Sequence, residues 1–307
     1  MNTEPTYHIG QTGRAWGSVE RKQWFDEQRI QRSYQNDVVD KLRALNSVFK
    51  IEQYSALSFD PKRYPLFVVK NKINSAKATA LITGGVHGYE TSGVQGAIRF
   101  LETRAQHYQE RYNLLVAPCV SPWAYETINR WNPDAIDPNR SFMNNSPSQE
   151  SAALMDMVQA LKIKLDVHID LHETTDSDND EFRPALAARD NVVHEFWTIP
   201  DGFYLVGDTE NPCHEFQKHI INAVKAVTHI APSDDQGRII GESISQQGVI
   251  NYATKALSLC TGFSDARFNT TTEVYPDSPL VDDENCIQAQ VAAICSGLDF
   301  AQQEFKS

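Results

Sequence analysis

Short apolar, β-branched runs alternate with helical patterns along most of this 307-residue chain, and this alternation constrains the fold more than any other feature. We predict strands at 47–54, 64–69, 78–83, 113–117 and 165–171, and helices at 91–106, 149–161 and 211–227. Such alternation is typical of an α/β fold with a mixed, largely parallel twisted sheet and helices on both faces. Functional residues on such a sheet are expected beyond the carboxyl ends of its strands.

The chain contains no internal repeat and no Gly/Ser-rich or Pro-rich linker that would divide it. Residues 1–45 are rich in Gln, Arg and Asp and include one helical stretch at 38–45. We therefore predict an N-terminal extension, residues 1–45, packed on a single α/β domain that spans residues 46–307.

Charge and composition exclude several partners. A formal net charge of -12, without a local Lys/Arg cluster, would repel a phosphate backbone, so we expect no nucleic-acid partner. No segment is long and apolar enough to cross a membrane, and the first residues lack the pattern of a secretion signal. We expect a cytoplasmic protein, with export by a route that needs no such signal as the alternative, and the sequence predicts no particular oligomeric state.

The first chemical motif lies directly after the predicted strand 78–83. His87 and Glu90 are three residues apart in a glycine-rich turn that opens a predicted helix. Residues at this spacing project to one side, so an imidazole and a carboxylate can bind one metal ion. The alternative is a chance pair in which Glu90 merely favours the positive end of the helix dipole.

A second motif ends the predicted strand 165–171. His168, Asp170 and His172 share one side of this strand because side chains alternate with period two. Two histidines and one carboxylate leave one coordination position for water, which is the pattern of a catalytic zinc site. We predict one zinc ion per chain, bound by His87, Glu90 and His172. We interpret His168 as a buried, hydrogen-bonded histidine rather than a ligand.

These residues resemble the zinc carboxypeptidases of the carboxypeptidase A and B type, together with aspartoacylase and succinylglutamate desuccinylase. Four motifs occur in family order: Gly-x-His-x-x-Glu at 85–90, Asp-Pro-Asn-Arg-Ser-Phe at 137–142, Asp-Leu-His at 170–172 and Thr-Glu-Val at 272–274. The resemblance covers roughly residues 78–280 and implies the zinc carboxypeptidase-like fold.

The resemblance also implies roles for individual residues. Asp137 would fix the orientation of the His87 ring. Asn139 and Arg140 would bind the terminal carboxylate of the substrate, which suits a guanidinium because it can donate two parallel hydrogen bonds. Arg130 would polarise the scissile carbonyl, and Tyr252 is the nearest candidate for a tyrosine that covers the substrate.

Glu273 would serve as the general base that takes a proton from the attacking water. It lies on a segment that we expect to be an edge-like strand, which Pro276 would end. The alternative is an ordinary exposed strand glutamate.

We therefore predict a zinc metallocarboxypeptidase that acts on a peptide with a free carboxylate. One alternative is an N-acyl amino acid deacylase of the aspartoacylase and desuccinylase type, and another is a non-catalytic peptide-binding protein. Selection for a Lys or Arg side chain would need an acid in the pocket. The sequence offers Asp265, Glu242 and Asp234 for this role, although each is more often a solvated loop acid.

Overall fold

A computed structural model describes residues 7–193 and 197–306 of the chain. The strands in these ranges are β1 (Lys50–Ala56), β2 (Pro65–Lys70), β3 (Ala78–Gly84), β4 (Tyr112–Ala117), β5 (Val167–Glu173), β6 (Tyr204–Asp208), β7 (Arg238–Ile239), β8 (Glu242–Ser243), β9 (Val249–Tyr252) and β10 (Phe268–Val274). β7 and β8 form a small antiparallel pair. The other strands form one sheet in the order β1-β2-β4-β3-β5-β10-β6-β9.

The parallel part of this mixed sheet positions the site. β4, β3, β5 and β10 are successive parallel neighbours, so their carboxyl ends lie at one edge of the sheet. β1 and β2 are antiparallel additions on one side, and β10 is antiparallel to β6 on the other. The turn after β3 carries His87 and Glu90, β5 carries His172, and β10 carries Glu273. Residues from three segments that are distant in sequence are thereby brought to one edge.

Helices cover both faces of the sheet. They are α1 (Ser18–Glu27), α2 (Asp40–Ala44), α3 (Thr91–Thr103), α4 (Ala105–Tyr108), α5 (Pro122–Thr127), α6 (Gln149–Ala160), α7 (Arg183–Asp190), α8 (His214–Val224) and α9 (Asp283–Glu304). Ala80 and Ile82 of β3 belong to a hydrophobic cluster that includes α3, α8 and α9. Leu81 faces the other way and packs with Leu154 and Met157 of α6. The predicted α/β fold is confirmed.

The predicted strands and helices of the main sheet begin and end within three residues of observed ones. The edge position expected for the segment 268–274 is wrong, because β10 lies between β5 and β6. Pro276 follows the last paired residue, Val274, and therefore removes no hydrogen bond from the ladder. A proline just beyond a strand does not distinguish a central strand from an edge strand.

The N-terminal residues pack against the rest of the chain. Trp16, Trp24 and Val38 are buried in the same hydrophobic cluster as the sheet and α3. The predicted division at residue 45 remains a prediction. None of the helices in the described ranges combines the length and the apolar composition that crossing a membrane requires.

Candidate metal centre and active-site pocket

A tight turn between β3 and α3 carries the first two candidate ligands. Gly85 has a φ of +58°, in the left-handed region that residues with a Cβ rarely adopt. A Cβ on Gly88 would overlap the backbone of Ala124. These two glycines allow the compact path that brings His87 and Glu90 to the same side of the turn.

Two imidazole rings and one carboxylate meet at the carboxyl edge of the sheet. His87 Nδ1 lies 2.8 Å from Oε1 of Glu90, and His172 Nδ1 lies 3.0 Å from the same oxygen. The two ring centroids are 5.0 Å apart. One potential ligand atom from each of the three residues lies within 4.8 Å of the others. The structure thus brings together the three residues that the sequence predicts as ligands.

This donor set fits a divalent cation such as zinc. Oε2 of Glu90 is buried and has no hydrogen-bond partner among the described residues. An unpartnered, buried carboxylate oxygen is costly unless a cation compensates it. Imidazole nitrogen and carboxylate oxygen are both zinc ligands, and three protein ligands leave one coordination position open.

Each candidate histidine ligand has its other ring nitrogen next to a carboxylate. His87 Nε2 lies 3.0 Å from Asp137 Oδ1, and His172 Nε2 lies 2.7 Å from Asp170 Oδ2. Such a carboxylate keeps the proton on Nε2 and leaves Nδ1 free to bind a metal. Asp137 stands where the resemblance predicts it. Asp170 belongs to the Asp-Leu-His motif but has no role predicted from the sequence. The period-two alternation, which puts Asp170 on the same side of the strand as His172, is the signal for this contact.

His168 has different surroundings. Its ring is fully buried, with Nδ1 3.0 Å from Ser264 Oγ and Nε2 3.3 Å from Thr83 Oγ1. Burial lowers the pKa of His168 to about 4. It is absent from the one group of described side chains that could share a metal ion, in agreement with its interpretation as a buried, hydrogen-bonded histidine.

Arg130 is held in the pocket wall by two carboxylates and a phenol. Its Nε donates to Asp137 Oδ2 at 3.1 Å, and its Nη1 donates to Asp178 Oδ1 at 3.3 Å and to the Tyr89 hydroxyl at 3.5 Å. Burial alone would lower the pKa of Arg130, but Asp137, Tyr89 and Asp178 raise it above its usual value. Nη2 has no hydrogen-bond partner within the described ranges. The Nη2 group of the Arg130 guanidinium can therefore donate a hydrogen bond to a molecule bound in the pocket.

Glu273 lies beside the candidate metal ligands because β10 pairs with β5, where its register partner is His172. The Thr174 hydroxyl donates to Glu273 Oε2 at 2.9 Å, and the Tyr204 hydroxyl lies 2.7 Å from Thr174 Oγ1. Since Thr174 has one proton and gives it to Glu273, Tyr204 must donate to Thr174. Burial raises the pKa of Glu273 to about 8. A nearby divalent cation would lower this pKa again.

Three further predicted residues line the same pocket. Arg140 is exposed, and its Nη1 donates to the backbone carbonyl of Asn139 at 2.9 Å. The side-chain carbonyl of Asn139 accepts a hydrogen bond from the backbone N–H of Cys260 at 2.8 Å, which fixes the amide. Tyr252 stands at the end of β9, and burial raises its pKa to about 12. The predicted residues that line this one pocket are His87, Glu90, Arg130, Asn139, Arg140, His172, Tyr252 and Glu273.

Glu173 has a position that its place next to His172 in sequence does not reveal. Its carboxylate accepts hydrogen bonds from the backbone N–H groups of Thr91 at 3.1 Å and Ser92 at 2.5 Å. These are the first residues of α3, where a carboxylate satisfies otherwise unpaired donors and favours the helix dipole. Burial raises the pKa of Glu173 to about 7. Glu173 thereby fixes the start of the helix that follows Glu90.

The turn that carries His87 and Glu90 is also fixed by a residue of the N-terminal segment. Arg32 donates to the backbone carbonyl of Gly88 at 2.5 Å, to the Thr91 hydroxyl at 2.6 Å and to the backbone carbonyl of Tyr125 at 2.6 Å. Its guanidinium also stacks on the Tyr125 ring, 3.7 Å from the centroid. No motif signals this contact, since Arg32 is far from the turn in sequence.

Residues 76–192 match the family model of the succinylglutamate desuccinylase/aspartoacylase catalytic domain. This segment includes the three candidate ligands, Arg130, Asp137 and the Asn139-Arg140 pair, and it ends before Tyr252 and Glu273. No curated protein matches the chain in sequence.

Several solved structures share the fold. One is a provisionally assigned metallopeptidase from Shewanella denitrificans, with a TM-score of 0.64 and 19% identity over 87% of this chain and 89% of that one. A metallo-carboxypeptidase from Burkholderia cenocepacia has a TM-score of 0.58 and 15% identity over 88% and 69% of the two chains. Carboxypeptidase A from Helicoverpa armigera has a TM-score of 0.58 and 14% identity over 92% and 76%. The solved structures confirm the carboxypeptidase-like fold, and the family model confirms the resemblance of residues 76–192 to the desuccinylase and aspartoacylase branch.

Proposed function

We propose that this chain, with its zinc carboxypeptidase-like fold, is a zinc-dependent hydrolase that removes the C-terminal residue of peptides. His87, Glu90 and His172 would bind one zinc ion. Asn139 and Arg140 would bind the free carboxylate that marks the end of the substrate.

One observation carries this proposal. The Nδ1 atoms of His87 and His172 lie within 3.0 Å of Glu90 Oε1, in a pocket that is also lined by Glu273 and Arg140. A metal site, a carboxylate base and a guanidinium that can bind a carboxylate therefore share one space. This combination suits hydrolysis of an amide bond close to a negative charge.

The chemistry is divided between the cation and the side chains. Zinc, when bound, is a Lewis acid that acidifies water and polarises a carbonyl group. Glu273, oriented by Thr174, accepts a proton as the water oxygen bonds to the carbonyl carbon. The carbon–nitrogen bond then breaks, and Glu273 passes the proton to the departing amine. Arg130 donates a hydrogen bond to the carbonyl oxygen as negative charge develops on it.

Substrate binding would depend on the other side of the pocket. Arg140 forms its hydrogen bond with a backbone carbonyl rather than with an acid, so its guanidinium can pair with an incoming carboxylate. Asn139 is preoriented by Cys260 and would add a neutral donor. Tyr252 lies close enough to Arg140 for that cation to act on its pKa, and its ring would cover the bound residue.

A second candidate is hydrolysis of N-acyl amino acids. The match of residues 76–192 to the succinylglutamate desuccinylase/aspartoacylase catalytic domain favours it. The bond that breaks is again an amide, and the product again bears a free carboxylate. The same metal, base and carboxylate site would serve both reactions.

The test is a zinc-loaded assay of N-blocked dipeptides beside N-acyl amino acids with the same terminal residue. The first candidate predicts a higher kcat/KM for the dipeptides, and the second predicts the reverse. Glu273→Gln should retain zinc and lose at least about 100-fold in turnover. Bound zinc without turnover of any substrate would refute both candidates and favour a non-catalytic peptide-binding protein.

A further inference from the structure

We infer that the pocket selects an uncharged aliphatic side chain on the substrate residue that bears the free carboxylate, and that Val206 and Thr271 form the pocket floor. The inference rests on the proposed function for one point only, the binding of that carboxylate at Asn139 and Arg140. The register of the strands and the charges around the pocket carry the rest.

The floor follows from the pairing of β5, β10 and β6. Glu273 pairs with His172 on one side and with Tyr204 on the other. Two residues earlier on β10, on the same face, Thr271 pairs with Val206. Two residues span about 7 Å along a strand. Thr271 and Val206 therefore lie about 7 Å deeper in the pocket than Glu273. Thr271 and Val206 both line the pocket and are nearly buried.

Asp170 could have placed a negative charge on the pocket floor, since it is the register partner of Thr271 on β5. Both oxygens of Asp170 are engaged elsewhere. Oδ1 accepts from the Thr83 hydroxyl at 2.5 Å, and Oδ2 lies 2.7 Å from His172 Nε2. Asp170 is 1% exposed and does not line the pocket. The floor therefore presents a valine and a threonine rather than an acid.

The side wall next to the carboxylate site is apolar. Leu259 directly precedes Cys260, whose N–H holds the Asn139 amide, and Leu259 lines the pocket. Ile240 lines it as well. A substrate residue bound at Asn139 and Arg140 would direct its side chain between these aliphatic groups and the floor. Burial of apolar surface there favours an aliphatic substrate side chain.

The three acids that could have selected a cationic substrate lie outside the pocket lining, although Glu242 is close enough to raise the pKa of Tyr252. Asp265 has a side chain that is 98% exposed, Asp234 pairs with Arg238, and Glu242 is exposed. None of the three lines the pocket. The suggestion that one of them selects Lys or Arg is therefore not supported by their positions.

The charged groups that line the pocket already have partners, and Arg183 is close enough to Tyr204 and Tyr252 for both to act on its pKa. Asp178 accepts a hydrogen bond from Arg130, and Glu173 accepts hydrogen bonds from the first backbone N–H groups of α3. Arg183 stacks on the Trp197 ring, 3.0 Å from the centroid. A Lys or Asp side chain at the floor would lose its hydration, while the charged groups around it are already engaged with the partners named above. We expect such substrates to have at least about 100-fold lower kcat/KM than a leucine substrate.

The experiment uses the zinc-loaded full chain and N-blocked dipeptides that differ only in the last residue: Leu, Val, Phe, Lys or Asp. A Leu or Val substrate with the highest kcat/KM, and at least about 100-fold discrimination against Lys and Asp, is the expected result. Highest activity with Lys, or with Asp, would overturn the inference.

A binding measurement distinguishes a failure of this inference from a failure of the proposed function. Calorimetric titration with N-acetyl-leucine, N-acetyl-lysine and N-acetyl-aspartate tests the pocket even if no substrate is cleaved. Tighter binding of N-acetyl-leucine supports the inference. Equal binding, or tighter binding of a charged ligand, contradicts it whatever the outcome of the assay.

Two variants test the floor directly. Thr271→Asp should raise the ratio of lysine to leucine activity at least about 10-fold, because it places a carboxylate on the floor. If this variant fails to fold, Val206→Ala is the alternative, and it should raise the ratio of phenylalanine to valine activity about 10-fold. Val69→Ala, in a buried strand residue outside the pocket, is the matched control and should change neither ratio. Unchanged ratios in a folded floor variant would overturn the assignment.

Discussion

The Thr174 hydroxyl donates a hydrogen bond to Oε2 of Glu273 across 2.9 Å. A hydrogen bond to the charged form of a carboxylate lowers its pKa, so its loss should raise the pKa of Glu273. Because the base must be ionised to accept a proton, Thr174→Val should move the acidic limb of the kcat/KM profile to higher pH, by about one unit. Thr174→Ser keeps the hydroxyl and should retain the original profile. An unchanged profile in the valine variant would contradict the role of this contact.

Arg140→Ala should weaken the use of substrates with a free carboxylate. A hydrogen-bonded charge pair contributes about 2–3 kcal/mol, so we expect kcat/KM to fall roughly 30- to 150-fold. The control is the matching substrate with a C-terminal amide, whose slow hydrolysis should be nearly the same in both enzymes. Equal losses for the acid and the amide would show that Arg140 does not recognise the carboxylate.

Asp170→Asn should lower zinc affinity about 10- to 100-fold, because the variant removes the negative charge that supports His172 through its Nε2 atom. Competition with a chelator of known affinity measures the change. Asp134→Asn alters an exposed acid outside the metal centre and serves as the control. Wild-type affinity in Asp170→Asn would exclude Asp170 from the metal centre.

His168 should make the stability of the metal-free protein depend on pH. Its pKa is lowered from 6.5 to about 4 by burial, so between these values the unfolded state binds a proton that the folded state does not. This contribution to the free energy of unfolding is present above pH 6.5 and is lost as the pH falls towards 4, by up to about 3 kcal/mol. Urea unfolding across this range should therefore show a smaller loss in His168→Gln. Equal losses would contradict the assignment of a neutral, buried ring.

The fold and the central part of the site could be predicted from the sequence because their signals are local. Apolar periodicity marks the strands and helices of the main sheet, and spacing places His87 beside Glu90. The meeting of these residues with His172 follows from parallel strands, whose carboxyl ends share one edge of the sheet. Local pattern and topology together are sufficient for this part of the structure.

Other parts of the site depend on contacts between distant segments. The bonds from Arg32 to the turn at Gly88, and from Tyr204 through Thr174 to Glu273, join residues with no common motif. The central place of β10 depends on which strands become neighbours, which period-two alternation does not determine. The pocket floor at Val206 follows from the same pairing.

The measurement that tests the central claim most directly is anomalous diffraction at the zinc edge from crystals of the zinc-loaded protein. We expect one peak about 2.0–2.2 Å from His87 Nδ1, His172 Nδ1 and an oxygen of Glu90. A peak at another place, or none under saturating zinc, would contradict the assignment of these three residues as ligands of one metal ion.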